Sequence, residues 1–143
     1  LHPNFAAQVR DFRANERVSV AAYPYNYKRA ISEGSLLITD YSSVPFDFAY
    51  LEKPVLYTQF DSETFFAGHV YSKGYFDYER DGFGPVCSDY ETAIKEAVDA
   101  INRGAVLQDI YRRRIKTFFE YHDKENSQRV YAAIVKRGIM KSV

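Results

Sequence analysis

Short apolar runs, each bounded by turn residues, recur through the middle of the chain. Residues 36–39, 55–57 and 85–87 are apolar and partly β-branched. Such runs are typical of buried strands in a parallel sheet. Apolar positions three and four residues apart predict helices between the strands and after them. The predicted helices cover residues 4–15, 27–33, 43–52, 90–102, 110–121 and 125–137.

Two further segments complete the pattern. Residues 17–22 (RVSVAA) resemble another strand, whereas residues 61–84 are rich in Gly, Tyr and Asp and lack a regular period. We therefore expect a long loop over residues 61–84, and long loops in compact domains are often functional. Alternating strands and helices predict an α/β fold, a Rossmann-like parallel sheet with helices on both faces. The length of 143 residues predicts one domain over residues 1–143.

Composition and charge narrow the class of protein. The formal net charge is +0, so no overall charge favours nucleic acid as a partner. Residues 107–143 nevertheless hold nine Lys or Arg against four Asp or Glu. This basic end either faces an anionic partner or membrane or forms a solvated helix surface. The single cysteine, Cys87, excludes an internal disulfide and favours a reducing compartment.

Ser42 and Ser43 stand where a predicted strand gives way to a helix. A serine at this position caps the helix by accepting a hydrogen bond from a free backbone N–H. Alternatively, the free N–H groups and the helix dipole bind a phosphate, and two hydroxyl groups add donors. The position that would complete a capping box with Ser43 holds Phe46 rather than Glu or Gln. The sequence leaves both interpretations open.

Motifs in the same order along nearly the whole chain resemble those of a known family. From His2 to about Tyr131 they resemble the CDP-glycerol glycerophosphotransferases, the polymerases and primases of wall teichoic acid. The motifs are LHP, LLITDYSS, FDF, KPVLY, GYFDYE, GPV and HDKENSQRVY.

The resemblance implies a fold and an activity. These motifs belong to the donor-binding, C-terminal half of a two-domain GT-B fold, so an N-terminal acceptor half would lie upstream. The implied reaction moves glycerol phosphate from CDP-glycerol to a hydroxyl of an anionic polyol-phosphate polymer and releases CMP. Without the upstream half, we expect this chain to be inactive. The longer protein would be cytoplasmic, peripheral on the inner face of the cell membrane.

The resemblance also suggests which residues meet the donor. His2 would be the catalytic group, which contacts the donor phosphates or protonates departing CMP. Ser42 and Ser43 would hold the pyrophosphate. Asp40 would orient a backbone turn or His2, and Asp47 would favour the helix start or accept from a sugar hydroxyl.

A second group of predicted binding residues lies further along the chain. Gly82 and Gly84 would shape a loop near the nucleotide, because glycine lets backbone N–H groups approach a ligand. Arg129, in the first turn of the last helix, would pair with a phosphate. Alternatively, the two glycines only form a turn, and the arginine is an ordinary surface residue.

No metal or cofactor is indicated. His2, His69 and His122 lie far apart in the sequence and show no ligand spacing. A divalent ion is one way to neutralise phosphate charge, but the sequence does not specify one.

Two alternative functions stay open. One is a GT-B transferase with another donor, such as CDP-ribitol or a nucleotide sugar, and the other is a non-catalytic interaction domain.

Overall fold

The computed structural model describes residues 3–21, 24–68 and 74–138. The chain divides into two compact units, Leu1–Gly34 and Ser35–Val143. None of the helices in the described ranges is both long and apolar enough to span a bilayer.

The first unit contains a 3-10 helix and an α-helix. The 3-10 helix covers Pro3–Asp11, where the sequence predicted a longer helix, and α1 covers Tyr27–Glu33, as predicted. The side chain of Asn26 begins α1 by accepting a hydrogen bond from the backbone N–H of Arg29 at 2.9 Å. Both helices predicted in the first unit are therefore present, the first of them as a shorter 3-10 helix.

The predicted strand over residues 17–22 is wrong for its described part, residues 17–21, which are irregular. The side chain of Asn15 accepts hydrogen bonds from the backbone N–H groups of Arg17 at 2.8 Å and Val18 at 2.9 Å. The Asn15 and Val18 backbones also bond to each other. An asparagine that bonds to the following backbone in this way competes with strand pairing.

The second unit is built on a three-stranded parallel sheet. β1 (Leu37–Thr39), β2 (Val55–Thr58) and β3 (Val86–Cys87) lie in the order β1-β2-β3. Leu37 pairs with Val55, and Tyr57 pairs with Val86. The three apolar runs of the sequence thus form the sheet, with the most buried of them, β2, at its centre.

Helices connect and follow the strands. They are α2 (Val44–Tyr50), α3 (Ser62–Gly68), α4 (Tyr78–Asp81), α5 (Tyr90–Asn102), α6 (Asp109–Phe118) and α7 (Asn126–Lys136). The expectation of a continuous loop over residues 61–84 is wrong, since α3 and α4 lie within that segment. Asp77 begins α4 by accepting from the backbone N–H of Arg80 at 2.8 Å. A capped helix of one turn is too short to show a hydrophobic period in the sequence.

Helices cover the central strand β2 on both faces, whereas the side chain of Ile38 in the edge strand β1 is half exposed. Successive side chains of a strand point to opposite faces. Leu56 packs in a cluster with Cys87 and with Ala93 of α5. Its neighbour Tyr57 contacts Tyr78 of α4, with ring centroids 5.1 Å apart. The described residues therefore confirm an α/β arrangement with a covered parallel sheet.

A second cluster joins α2 and α6. Ala49, Phe83, Leu107 and Ile115 are buried together, and Phe46 of α2 packs against them. Phe46 meets Phe83 edge to face, with ring centroids 5.5 Å apart. This aromatic packing fixes α2 relative to the sheet and so positions the segment that precedes it.

Candidate functional site

The carboxyl ends of the parallel strands β1 and β2 lie at the same edge of the sheet. Asp40, Tyr41, Ser42 and Ser43 follow β1, and Gln59 and Asp61 follow β2. In open α/β sheets, ligands bind beyond the carboxyl ends of the strands. This edge is therefore the candidate site, and it includes the polar segment that the sequence indicated.

The two serines have different roles in the fold. The Ser42 hydroxyl oxygen accepts a hydrogen bond from the backbone N–H of Val44 at 3.2 Å. Ser43 precedes α2 in a helical backbone conformation, and its side chain makes no capping bond. Among the described residues, no group pairs with the exposed Ser43 hydroxyl. Helix capping thus accounts for Ser42 and leaves Ser43 unexplained by the fold.

Asp40 and Asp47 are both exposed, and they occupy different environments. Asp47 lies in the first turn of α2, where a negative charge is favourable. Asp40 lies close enough to Tyr41 and Tyr78 to contribute to the raised pKa values of both phenols. Asp40 therefore belongs to a cluster of tyrosines at the sheet edge.

Two tyrosines that the sequence analysis did not single out join this edge. Tyr41 stacks on Phe65 of α3, with ring centroids 3.6 Å apart and an interplanar angle of 11°. It also meets Tyr78 of α4 edge to face at 6.0 Å. Tyr78 comes from the segment expected to be a loop, so its position depends on tertiary packing that the local sequence does not reveal.

The tyrosine hydroxyls remain neutral donors at ordinary pH. Burial, and then the charge of Asp61, raises the pKa of Tyr41 to about 12. Burial, and then the charge of Asp40, also raises the pKa of Tyr78. A neutral phenol can donate a hydrogen bond to an anionic ligand. The edge therefore combines hydroxyl donors with two carboxylates.

Gly82 and Gly84 are buried and allow two close backbone approaches. A Cβ on Gly84 would lie 1.7 Å from the carbonyl oxygen of Val55, and one on Gly82 would lie 2.0 Å from that of Tyr78. No side chain fits at either position. The packing of the loop against β2 and α4 is thus sufficient reason for both glycines, and their role in ligand binding stays a prediction.

Arg129 takes part in a network at the linker between α6 and α7. Its Nη1 donates to Asn126 at 2.8 Å, and its Nη2 bonds to the carboxylate of Asp123. The guanidinium also lies 3.9 Å from the ring centroid of Tyr121. Arg129 lowers the pKa of the Asp123 carboxyl. A phosphate would therefore compete with Asp123 for this arginine.

The linker between α6 and α7, whose Asp123 binds Arg129, contacts the end of α2 that is remote from the serines. The Tyr50 hydroxyl donates to the carbonyl oxygen of Asp123 at 2.7 Å, and the His122 ring nitrogen Nε2 donates to the Tyr50 carbonyl oxygen. Tyr50 ends α2, whereas Ser43 precedes it, and a helix of seven residues is about 10 Å long. The structure therefore does not join Arg129 directly to the serines.

His2, the predicted catalytic residue, and His69 lie outside the described residues. In the ranges that the structure describes, His, Cys, Asp and Glu side chains form no group of three or more that could hold a metal ion. The described residues of the candidate site contribute hydroxyls, carboxylates and the side-chain amide of Gln59.

Comparison with known proteins supplies the family. The family model described as CDP-Glycerol:Poly(glycerophosphate) glycerophosphotransferase matches residues 1–136 of the chain. The chain belongs to this family. The match confirms the resemblance inferred from the motifs, and it runs across every predicted site residue from His2 to Arg129. It assigns no role to any of them.

Relatives of this glycerophosphotransferase family member include teichoic acid proteins of Bacillus subtilis and Staphylococcus aureus. Minor teichoic acid biosynthesis protein GgaB of Bacillus subtilis (strain 168) is 35% identical over 134 residues, which are 94% of this chain and 14% of that protein. Teichoic acid glycerol-phosphate transferase of Staphylococcus aureus (strain NCTC 8325 / PS 47) is 32% identical over 102 residues, 70% of this chain and 25% of that protein.

A third relative is a polymerase by name. Teichoic acid poly(glycerol phosphate) polymerase of Bacillus subtilis (strain 168) is 41% identical over 86 residues, 57% of this chain and 11% of that protein. The glycerophosphotransferase chain thus spans a quarter or less of the length of these three relatives. Their full activities cannot be transferred to it without further argument.

Proposed function

We propose that the chain is the donor-binding part of a transferase that moves glycerol phosphate from CDP-glycerol to a hydroxyl of a polyol-phosphate polymer. In this proposal it forms the C-terminal half of a GT-B fold within a longer protein. The observation that carries the proposal is the exposed Ser43 hydroxyl, which has no partner among the described residues, at the carboxyl edge of the sheet. The membership of the chain in the family supports it.

The reaction places specific demands on this edge. An acceptor hydroxyl oxygen attacks the phosphorus next to glycerol and loses its proton to solvent, the bond from that phosphorus to the bridging oxygen breaks, and CMP departs. Negative charge grows on the bridging oxygen, and donors aimed at it lower the barrier. Ser42 and Ser43 together with the first N–H groups of α2 would bind the pyrophosphate, and His2 would protonate departing CMP.

Glycerol is the preferred cargo in this proposal. Two of the three relatives described above carry glycerol phosphate in their names, one as a transferase and one as a polymerase. The donor would therefore be CDP-glycerol, ahead of CDP-ribitol or a nucleotide sugar. We assign no metal ion to the site.

The proposed partners besides the donor are the anionic acceptor polymer and the inner face of the membrane. Part of the basic C-terminal charge is used within the fold, because Arg112 pairs with Asp109 at 3.3 Å and Arg114 donates to the Gly82 carbonyl oxygen at 2.8 Å. Arg113 and Lys116 of α6 are exposed. These two side chains are among the exposed basic groups that would meet an anionic surface, together with Lys124, Lys136 and Arg137.

Ligand titration tests the proposal. The chain is titrated with CMP, CDP-glycerol and a UDP-sugar, and binding is followed by amide chemical shifts and thermal unfolding. CMP and CDP-glycerol should raise the unfolding temperature, because a ligand at 100 times its dissociation constant stabilises a fold by about 2.7 kcal/mol. The UDP-sugar should not. If none of the three binds, the donor-binding function is contradicted and the interaction-domain alternative gains support.

A further inference from the structure

Gln59 is the one polar side chain among the described residues that is buried, with 7% of its surface exposed. Its Nε2 is inaccessible, and no described group accepts a hydrogen bond from it. Folded proteins pair nearly all of their buried polar groups, because an unpaired one has lost water without gaining a partner. The fold alone gives no reason for an amide at this position.

The backbone determines which face of the sheet Gln59 occupies. The backbone N–H of Tyr57 donates to the Pro85 carbonyl oxygen at 2.9 Å, and the backbone N–H of Gln59 donates to the Cys87 carbonyl oxygen at 2.9 Å. The hydrogen-bond ladder therefore continues past Thr58, the last residue of β2. Since side chains alternate along such a ladder, Gln59 lies on the same face as Tyr57, two residues nearer the carboxyl edge.

That face also holds the tyrosine pair of the candidate site. The Tyr57 ring contacts Tyr78 at 5.1 Å, and Tyr78 meets Tyr41 at 6.0 Å. Gln59 is therefore a buried polar group on the face of the sheet where neutral phenols and the segment after β1 gather. None of the residues predicted from the sequence to bind the donor lies on β2 or in the three residues that directly follow it.

We infer that the side-chain amide of Gln59 donates a hydrogen bond to a phosphoryl oxygen of the donor nucleotide. The inference rests on the proposed function. An uncharged donor suits an anion at an edge that already carries Asp40 and Asp61. A pyrophosphate offers several acceptor oxygens, enough for an amide and hydroxyl groups at once, whereas a cytosine ring offers one carbonyl oxygen. As placed, Nε2 is the enclosed end of the amide. Rotation of the terminal amide exchanges its oxygen and nitrogen, and a phosphate selects the orientation that turns the nitrogen toward the ligand.

The test replaces the amide by an apolar group of similar length. Gln59→Met should weaken the binding of CDP-glycerol and of inorganic pyrophosphate about tenfold and leave the binding of cytidine unchanged. Without ligand, the variant should unfold at the same denaturant concentration as the wild type or a higher one, because an unpaired polar group has been removed. Gln128→Met, on the exposed surface of α7, is the matched control and should change neither property.

The outcomes separate the inference from the function. If the wild type binds CDP-glycerol and Gln59→Met binds it equally well, the inference is overturned while the proposed function stands. A loss confined to cytidine overturns the assignment to phosphate. If the wild type binds neither CDP-glycerol nor pyrophosphate, the proposed function and the inference fail together. Gln59→Leu provides the same test should the Met variant not fold.

Discussion

The imidazole of His122 stands edge-on to the ring of Tyr50, with centroids 4.4 Å apart, and its Nε2 donates to the Tyr50 carbonyl oxygen. The last carbonyls of a helix lack partners within the helix, so His122 satisfies one of those of α2. In return, the Tyr50 hydroxyl donates to the backbone of Asp123. This reciprocal contact fastens the linker between α6 and α7 to the helix that follows the candidate site.

Removal of the Tyr50 hydroxyl should loosen this attachment. Tyr50→Phe should lower the free energy of unfolding by about 1 kcal/mol, the usual contribution of one hydrogen bond. Chemical denaturation measures the change. His122→Ala combined with Tyr50→Phe should give a coupling energy of about 0.5 kcal/mol or more, because both contacts hold the same linker. Tyr90→Phe, at an exposed position, is the control, and fully additive losses would show that the two contacts act independently.

Substitution of the two serines should affect ligand affinity and the free energy of unfolding differently. Ser43→Ala should weaken CDP-glycerol binding by about 1–3 kcal/mol, as expected for a hydrogen bond to a charged group. Its free energy of unfolding should stay within about 0.5 kcal/mol of the wild type, because the Ser43 side chain makes no capping bond. Calorimetric titration and chemical denaturation measure the two quantities.

Ser42→Ala is the matched comparison for that experiment. It removes the acceptor for the Val44 N–H, so we expect a stability loss of about 0.5–2 kcal/mol. Should Ser43→Ala destabilise the fold by about 1 kcal/mol and leave binding unchanged, Ser43 would be a cap and not a ligand-binding residue.

Gly84→Ala should be among the most damaging single substitutions in the second unit. The new Cβ would lie 1.7 Å from the Val55 carbonyl oxygen, a backbone atom of the central strand that cannot move aside without disrupting the sheet. We expect a loss of about 3 kcal/mol or more, measured by chemical denaturation or as loss of soluble protein. Gly74→Ala, with nothing within 4 Å of its Cβ, is the control and should be nearly neutral.

Tyr57 should make the fold sensitive to alkaline pH. Burial raises the pKa of Tyr57 to about 12 in the folded state. In the unfolded chain a tyrosine titrates near its ordinary pKa of about 10. Its contribution to stability is therefore complete below about pH 10 and is lost as the pH rises through about 12.

Tyr57→Phe removes this titration. We expect the variant to lose about 1 kcal/mol at neutral pH, because the Phe83 N–H bonds to the Tyr57 hydroxyl oxygen at 3.4 Å. It should then show a smaller decline in stability than the wild type between about pH 10 and about pH 12. Denaturation across this range measures both effects. Parallel declines in the wild type and the variant would contradict the assignment, and Tyr75→Phe, at an exposed position, is the control.

The sequence predicted the elements whose causes are local. Apolar runs determined β1, β2 and β3, because buried strands need apolar side chains on both faces. The predicted bounds of α1 and α5 match the structure, where the side chains of Asn26 and Asp89 cap the first turns. These features need only a few neighbouring residues, so a sequence pattern is sufficient to identify them.

The wrong or missed features depend on contacts between distant residues or on very short turns. The side chain of Asn15 bonds to the backbone of Arg17 and Val18 and so competes with the strand predicted there. Tyr78 reaches the site only because α4 packs on Tyr57. Gln59 was not predicted, because its burial depends on packing around β2 that no local pattern contains.

The sole cysteine, Cys87, is 1% exposed, because Leu56 and Ala93 pack around it between β3 and α5. A thiol reagent can reach this sulfur only when that part of the core opens. The rate at which the native chain is labelled therefore reports how often β3 separates from α5. The native thiol of Cys87 can therefore serve as a probe of opening next to the central strand, with no engineered label.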